Sequence, residues 1–90
     1  MSMSTTPHRV AVVTGGAKGI GAEVCRGFAA RGHKVWIADL DLAHAQSLAD
    51  ALRQQGGQAQ AIGLDVGNPE SVAQAFAEID AQDHLSLIHI

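Results

Sequence analysis

Tyrosine is absent from this sequence, and the other large aromatic residues amount to one Trp and two Phe. Charge is scarce as well, at 17% Asp, Glu, Lys and Arg against roughly 25% in an ordinary soluble domain, while 47% of residues are hydrophobic. The self-repulsion that keeps a chain disordered is missing, so the chain is expected to fold. At 90 residues it is shorter than the roughly 100 to 200 of a usual domain and reads as a piece of a larger one. The single Cys25 can form no internal disulfide and no signal-peptide core precedes it, which points to a reducing cytoplasm. Cys25 itself reads as a small buried helix residue. The six Lys and Arg are scattered and the net charge is −3, which argues against nucleic acid as a partner. No apolar run approaches the roughly 20 residues of a membrane span. The five His form no cluster with metal-ligand spacing, so no metal site is expected.

What is present is an alternation. Residues 1–9 are polar and read as a flexible arm. Val10 to Thr14 is a short β-branched run that stops at glycines, as suits a strand buried on both faces. Ile20, Val24 and Phe28, with Ala22, Cys25 and Ala29 beside them, predict the buried stripe of a helix ending near Gly32. Val35 to Ala38, closed by Asp39, predicts a second strand. Asp41 can cap a second helix whose stripe is Leu42, Ala45, Leu48, Ala49 and Leu52, and Gly56 with Gly57 ends it. A third strand falls within Gln58 to Leu64. Asn68 and Pro69 then open a third helix carrying Val72, Ala75, Phe76 and Ile79. Strand and helix in turn predict an α/β fold: a three-layer, Rossmann-type, doubly wound parallel sheet, with the first β-α-β-α-β-α units in residues 10–84. Sixteen alanines agree, because helices lying on a sheet need small residues at the contact.

The segment Thr14-Gly15-Gly16-Ala17-Lys18-Gly19-Ile20-Gly21 lies between the first strand and the first helix. A phosphate there needs backbone N–H groups with no Cβ in the way, and a helix N-terminus adds partial positive charge. Gly15 permits the sharp exit from the strand, Gly19 the approach of a diphosphate, and Gly21 close packing of the helix. Eighteen residues after Gly21 stands Asp39, at the carboxyl end of the second strand, where a carboxylate can accept from both hydroxyls of an adenosine ribose. A 2′-phosphate beside Asp39 would meet repulsion on the order of several kcal/mol, which selects NAD over NADP. The next residue, Leu40, stands where an NADP enzyme more usually offers Arg. Lys18 pulls the other way, since a base in the turn can reach a 2′-phosphate; the clash at Asp39 outweighs that optional contact. Asp65 and Val66 close the third strand at the same edge, where they either contact adenine or merely start the loop before Asn68.

These residues resemble the N-terminal portion of a short-chain dehydrogenase/reductase, over Val10 to about Gln82. The resemblance implies a Rossmann enzyme that moves a hydride between a nicotinamide and a small alcohol or carbonyl substrate, commonly as a homo-oligomer. Thr14, Gly15, Gly19, Ile20 and Gly21 match its phosphate turn, Asp39 its NAD-selecting acid, and Asp65 with Val66 its adenine contact. The family's catalytic Ser and Tyr-x-x-x-Lys have no counterpart, so no catalytic residue is expected in this chain and it should be inactive alone. Spacing disfavours two other readings. A P-loop NTPase lacks Gly-Lys-Ser/Thr at the end of the turn, and Thr14 with the gap from Gly15 to Gly19 disfavours a methyltransferase. A non-catalytic dinucleotide-binding module or sensor stays open as the alternative.

Residues 85–90, Leu-Ser-Leu-Ile-His-Ile, are either the fourth strand or a non-native tail. The codons CTG TCT CTT ATA CAC ATC would encode them and resemble a transposon end used as a sequencing adapter. A genomic contig encoding the same six residues would defeat the second reading. Without a fourth strand, the edge of the first strand would lie open and the chain should be marginally stable or associate.

Overall fold

The structure, a computed structural model, describes residues 10–15 and 17–83, and the backbone of 87–89. The predicted arm at residues 1–9 lies outside the described residues, as do Gly16, 84–86 and Ile90. Strands β1 (Val10–Thr14), β2 (Lys34–Asp39) and β3 (Gln58–Gly63) alternate with helices α1 (Gly19–Ala30), α2 (Leu42–Gln54) and α3 (Pro69–Asp83), and a short β4 (Leu87–His89) follows. All strand pairs are parallel, in the order β3-β2-β1-β4.

Side chains alternate across a strand, and β2 shows how this sequence builds two cores at once. Val35 and Ile37 join Val13 against Ala22 and Cys25 of α1 and Ala45, Leu48 and Leu52 of α2. Trp36 and Ala38 join Val10 and Val12 on the opposite face, against Ala75 and Ile79 of α3. The result is the doubly wound arrangement, with α1 and α2 on one face and α3 on the other. Parallel strands covered on both faces need continuous apolar runs, which is why Val10–Val13 and Val35–Ala38 are buried throughout.

Two residues of the predicted helix stripes are not in the core. Ile20 is 85% exposed and Leu42 is 39% exposed. Each belongs to the first turn of a helix that leaves the carboxyl end of a strand, where the turn overhangs the rim with no sheet beneath it. The buried stripe of α1 therefore starts at Ala22 and runs through Cys25, with Val24, Phe28 and Ala29 partly buried against it. The strand β3 also ends at Gly63, one residue before buried Leu64. Burial pushes the Cys25 thiol up to about 11, with Arg26 pulling weakly the other way, so it stays a protonated packing residue.

Trp36 read in the sequence only as part of an apolar run, but its ring nitrogen has a partner. Trp36 Nε1 donates to Asp83 Oδ2 at 2.8 Å, and Lys34 Nζ reaches the same oxygen at 2.7 Å while lying 5.4 Å from the indole centroid. The last residue of α3 is thereby tied to the start of β2. Burial alone would raise the Asp83 carboxyl, yet the hydrogen bonds from Lys34 and Trp36 and the Lys34 charge outweigh it and hold the group below the usual carboxylate range. At the other end of α3, Asn68 Oδ1 accepts from the amides of Glu70 at 2.9 Å and Ser71 at 3.4 Å, the cap expected ahead of Pro69.

Candidate functional site

The register sets Thr14 beside Ala38 and Asp39 beside Gly63, so the three parallel strands deliver their loops to one rim. One further hydrogen bond at each step fixes where the chain leaves the sheet: Gly15 N donates to Ala38 O at 2.8 Å and Leu64 N to Asp39 O at 3.1 Å. Ligands of open α/β sheets bind outside this edge.

The turn after β1 is left-handed twice, with φ +64° at Gly15 and +57° at Gly19. A Cβ placed on either glycine would meet nothing within 4 Å. Glycine is required there by the backbone, and the space in front of it is open. Thr14, at the strand's end, is partly buried, and Gly21 lies half-buried in the first turns of α1.

The three helices differ at their starts. Asp41 caps α2 by accepting from His44 N at 3.2 Å, and Asn68 caps α3. The N-cap of α1 is Lys18, in extended conformation, with no side-chain hydrogen bond to the helix and no acidic residue in the first turn. The first amides of an α-helix have no intrahelical acceptor. In α1 they carry the helix's partial positive charge toward the open rim without a capping side chain to satisfy them.

Asp39 stands beside this turn. Its Oδ2 accepts from Ala17 N at 3.0 Å and its Oδ1 from Asp41 N at 2.9 Å, so one carboxylate holds the glycine turn to the tip of β2. Two of the predicted site elements, 22 residues apart, are brought into direct contact. Lys18 Nζ lies 3.4 Å from Asp41 Oδ2 rather than reaching toward solvent alone. The His44 ring also pairs with that carboxylate, and this bond and the His44 amide hold the Asp41 carboxyl below its ordinary value. Sequence reasoning assigned Asp41 only to the helix cap and overlooked the ion pair; a base in the turn and a second acid two residues past Asp39 were the available sign.

Apolar exposure is concentrated at the same rim. The exposed large hydrophobic residues among those described are Ile20 at 85%, Leu40 at 76%, Val66 at 72% and Leu42 at 39%. Ile20 follows β1, Leu40 and Leu42 follow β2, and Val66 follows β3. Asp65, also exposed, spends one oxygen on its own loop: Oδ1 accepts from Gly67 N at 3.0 Å, and its amide donates to Ser71 Oγ at 3.0 Å. Its loop-starting role is thus visible directly.

The short chain dehydrogenase family matches this chain over residues 9–88. Among similar proteins, the uncharacterized oxidoreductase YuxG of Bacillus subtilis (strain 168) is 44% identical over 71 residues, which are 77% of this chain and 10% of that protein. Galactitol 2-dehydrogenase of Agrobacterium fabrum is 43% identical over 76 residues, 84% of this chain and 27% of that protein. Among solved structures, gox2181 superimposes with a TM-score of 0.86 at 37% identity, covering 93% of this chain and 34% of the other. A metagenomic short-chain oxidoreductase in complex with NADP superimposes with a TM-score of 0.77 at 27% identity, over 81% of this chain and 33% of that one. The chain spans about a third or less of the length of each of these relatives. With its glycine turn, parallel order and rim intact over nearly all of its length, the chain belongs to the short chain dehydrogenase family.

Proposed function

We propose that this chain is the dinucleotide-binding part of an oxidoreductase that moves a hydride between a nicotinamide and a small alcohol or carbonyl substrate, with NAD preferred to NADP. The observation that carries the reading is the pairing of an uncapped α1 N-terminus behind a doubly left-handed glycine turn with a carboxylate, Asp39, held against that turn. Backbone amides of Gly19, Ile20 and Gly21 supply donors and partial charge to a diphosphate. Asp39 supplies two acceptor oxygens for the ribose diol, its bond to Ala17 N being the one a bound ribose would compete with. Leu40 and Val66 offer apolar cover for an adenine, and the free oxygen capacity of Asp65 suits an exocyclic amino group. Thr14 ends the strand that aims the turn.

The nicotinamide, when bound, supplies the hydride acceptor or donor. This chain's residues bind and orient; the proton-handling groups of the reaction are not among them, so the chain is inactive alone. One neighbour was solved with NADP, and Lys18 provides a base in the turn. Asp39 supports NAD, because a second negative charge at the 2′ position would stand against its carboxylate. Titration of this chain with NADH and with NADPH, followed by nicotinamide fluorescence, tests the reading: NADH is expected to bind more tightly. Tighter binding of NADPH would overturn the preference, and binding of neither would overturn the assignment.

A further inference from the structure

Lys18 and Asp41 face each other across the rim that the proposed function assigns to the adenosine ribose, and the inference rests on that assignment. Two consecutive residues of the glycine turn are bridged to two acids, Asp39 at the end of β2 and Asp41 at the N-cap of α2. Ala17 N bonds Asp39 Oδ2 at 3.0 Å, and Lys18 Nζ pairs with Asp41 Oδ2 at 3.4 Å. The two acids are themselves linked, because Asp41 N donates to Asp39 Oδ1 at 2.9 Å. Asp41 is held from the other side as well: its Oδ1 accepts from His44 N at 3.2 Å, which makes it the N-cap of α2 and not a freely swinging side chain.

We propose that Asp41 is a positioning residue for dinucleotide choice: it holds Lys18 away from the 2′ position of the ribose and so disarms the one base in the glycine turn that could receive a 2′-phosphate. The preference for NAD then has two parts. Asp39 opposes the 2′-phosphate directly, and Asp41 removes the cation that would compensate it. The pair is exposed on both sides, and such pairs contribute little in water, so the effect is a modest bias rather than a barrier.

Asp41→Asn separates this role from the helix cap, since Asn is as good an N-cap as Asp; it removes the charge that holds Lys18 and also the oxygen that pairs with the His44 ring, a loss common to both Lys18 backgrounds. The NADPH-to-NADH affinity ratio of this chain should rise about three- to tenfold in D41N, by analogy with the strength of exposed ion pairs and one removed repulsion. In a Lys18→Met background the same substitution should raise the ratio by clearly less, because no base remains to be released. D41S, with a second good capping residue, repeats the measurement if D41N lowers stability. An unchanged ratio in D41N, with both dinucleotides still bound, overturns the proposal alone. An equal rise with and without Lys18 also overturns it, since Asp41 would then act only by its own charge. Absence of binding to the unaltered chain removes the dinucleotide reading first and this proposal with it.

Discussion

Gly19 concentrates the account at the residue scale. Its φ of +57° is a conformation that costs an L-residue about 1 kcal/mol or somewhat more, while a Cβ there meets open space. Gly19→Ala should therefore lower unfolding stability by about 1 kcal/mol in a urea titration yet weaken NADH binding by tenfold or more, because the methyl group would occupy the space a diphosphate needs. A loss of stability with undiminished binding would show that the turn is structural only. Asp39→Ala should weaken NADH on the order of tenfold and narrow its advantage over NADPH. Some of that loss will come through the turn, since the substitution also frees the amides of Ala17 and Asp41. Comparing the NADH and NADPH constants isolates the charge effect, and an unchanged preference would remove Asp39 from the site.

At the scale of elements, hydrophobic spacing located β1 to β3 and α1 to α3, because buried parallel strands and helices on a sheet leave continuous or 3.6-period apolar runs, while the segment that carries the three-residue β4 stayed open between a strand and a tail. Spacing failed where a helix begins. Ile20 and Leu42 obey the period but overhang the rim, and a period cannot tell where the sheet ends beneath it. Polar partners across the fold were equally illegible: nothing in the spacing of Lys34, Trp36 and Asp83 announces a shared hydrogen bond 47 residues long in sequence. The caps were readable because they are local, and Asn68→Ala should cost about 1 kcal/mol of stability by loss of the bonds to Glu70 and Ser71. Asp83 ties α3 to β2 in a pH-dependent way. Its folded carboxyl is lowered, so its stabilisation is present above the ordinary carboxyl value near 4 and is lost as pH falls through the folded value. The stability gap between the unaltered chain and Asp83→Asn should accordingly be larger at pH 6 than at pH 3, measured by urea titration at both; an equal gap would mean that the ion pair contributes nothing.

For the whole molecule, β3 pairs only with β2 and β4 only with β1 among the described residues, and β4 contributes three residues. Both outer strands of this sheet present unpaired backbone, and the apolar residues of the rim add exposed surface. This chain is expected to associate or to unfold at low denaturant, seen by light scattering alongside a urea titration; a monomer with a sharp cooperative transition at high denaturant would refute that. The rim itself is what unites the sequence motif with the fold, since the parallel register carries the turn, Asp39 and Val66 to one edge. Its function is read most directly by assigning the backbone amides by NMR and adding ADP-ribose. The largest shifts should fall on Gly15, Ala17, Gly19, Ile20 and Gly21 and on Asp39 to Asp41. Shifts confined to other faces, or none at saturating ligand, would contradict the claim that uncapped amides of α1 receive a diphosphate while Asp39 holds the sugar.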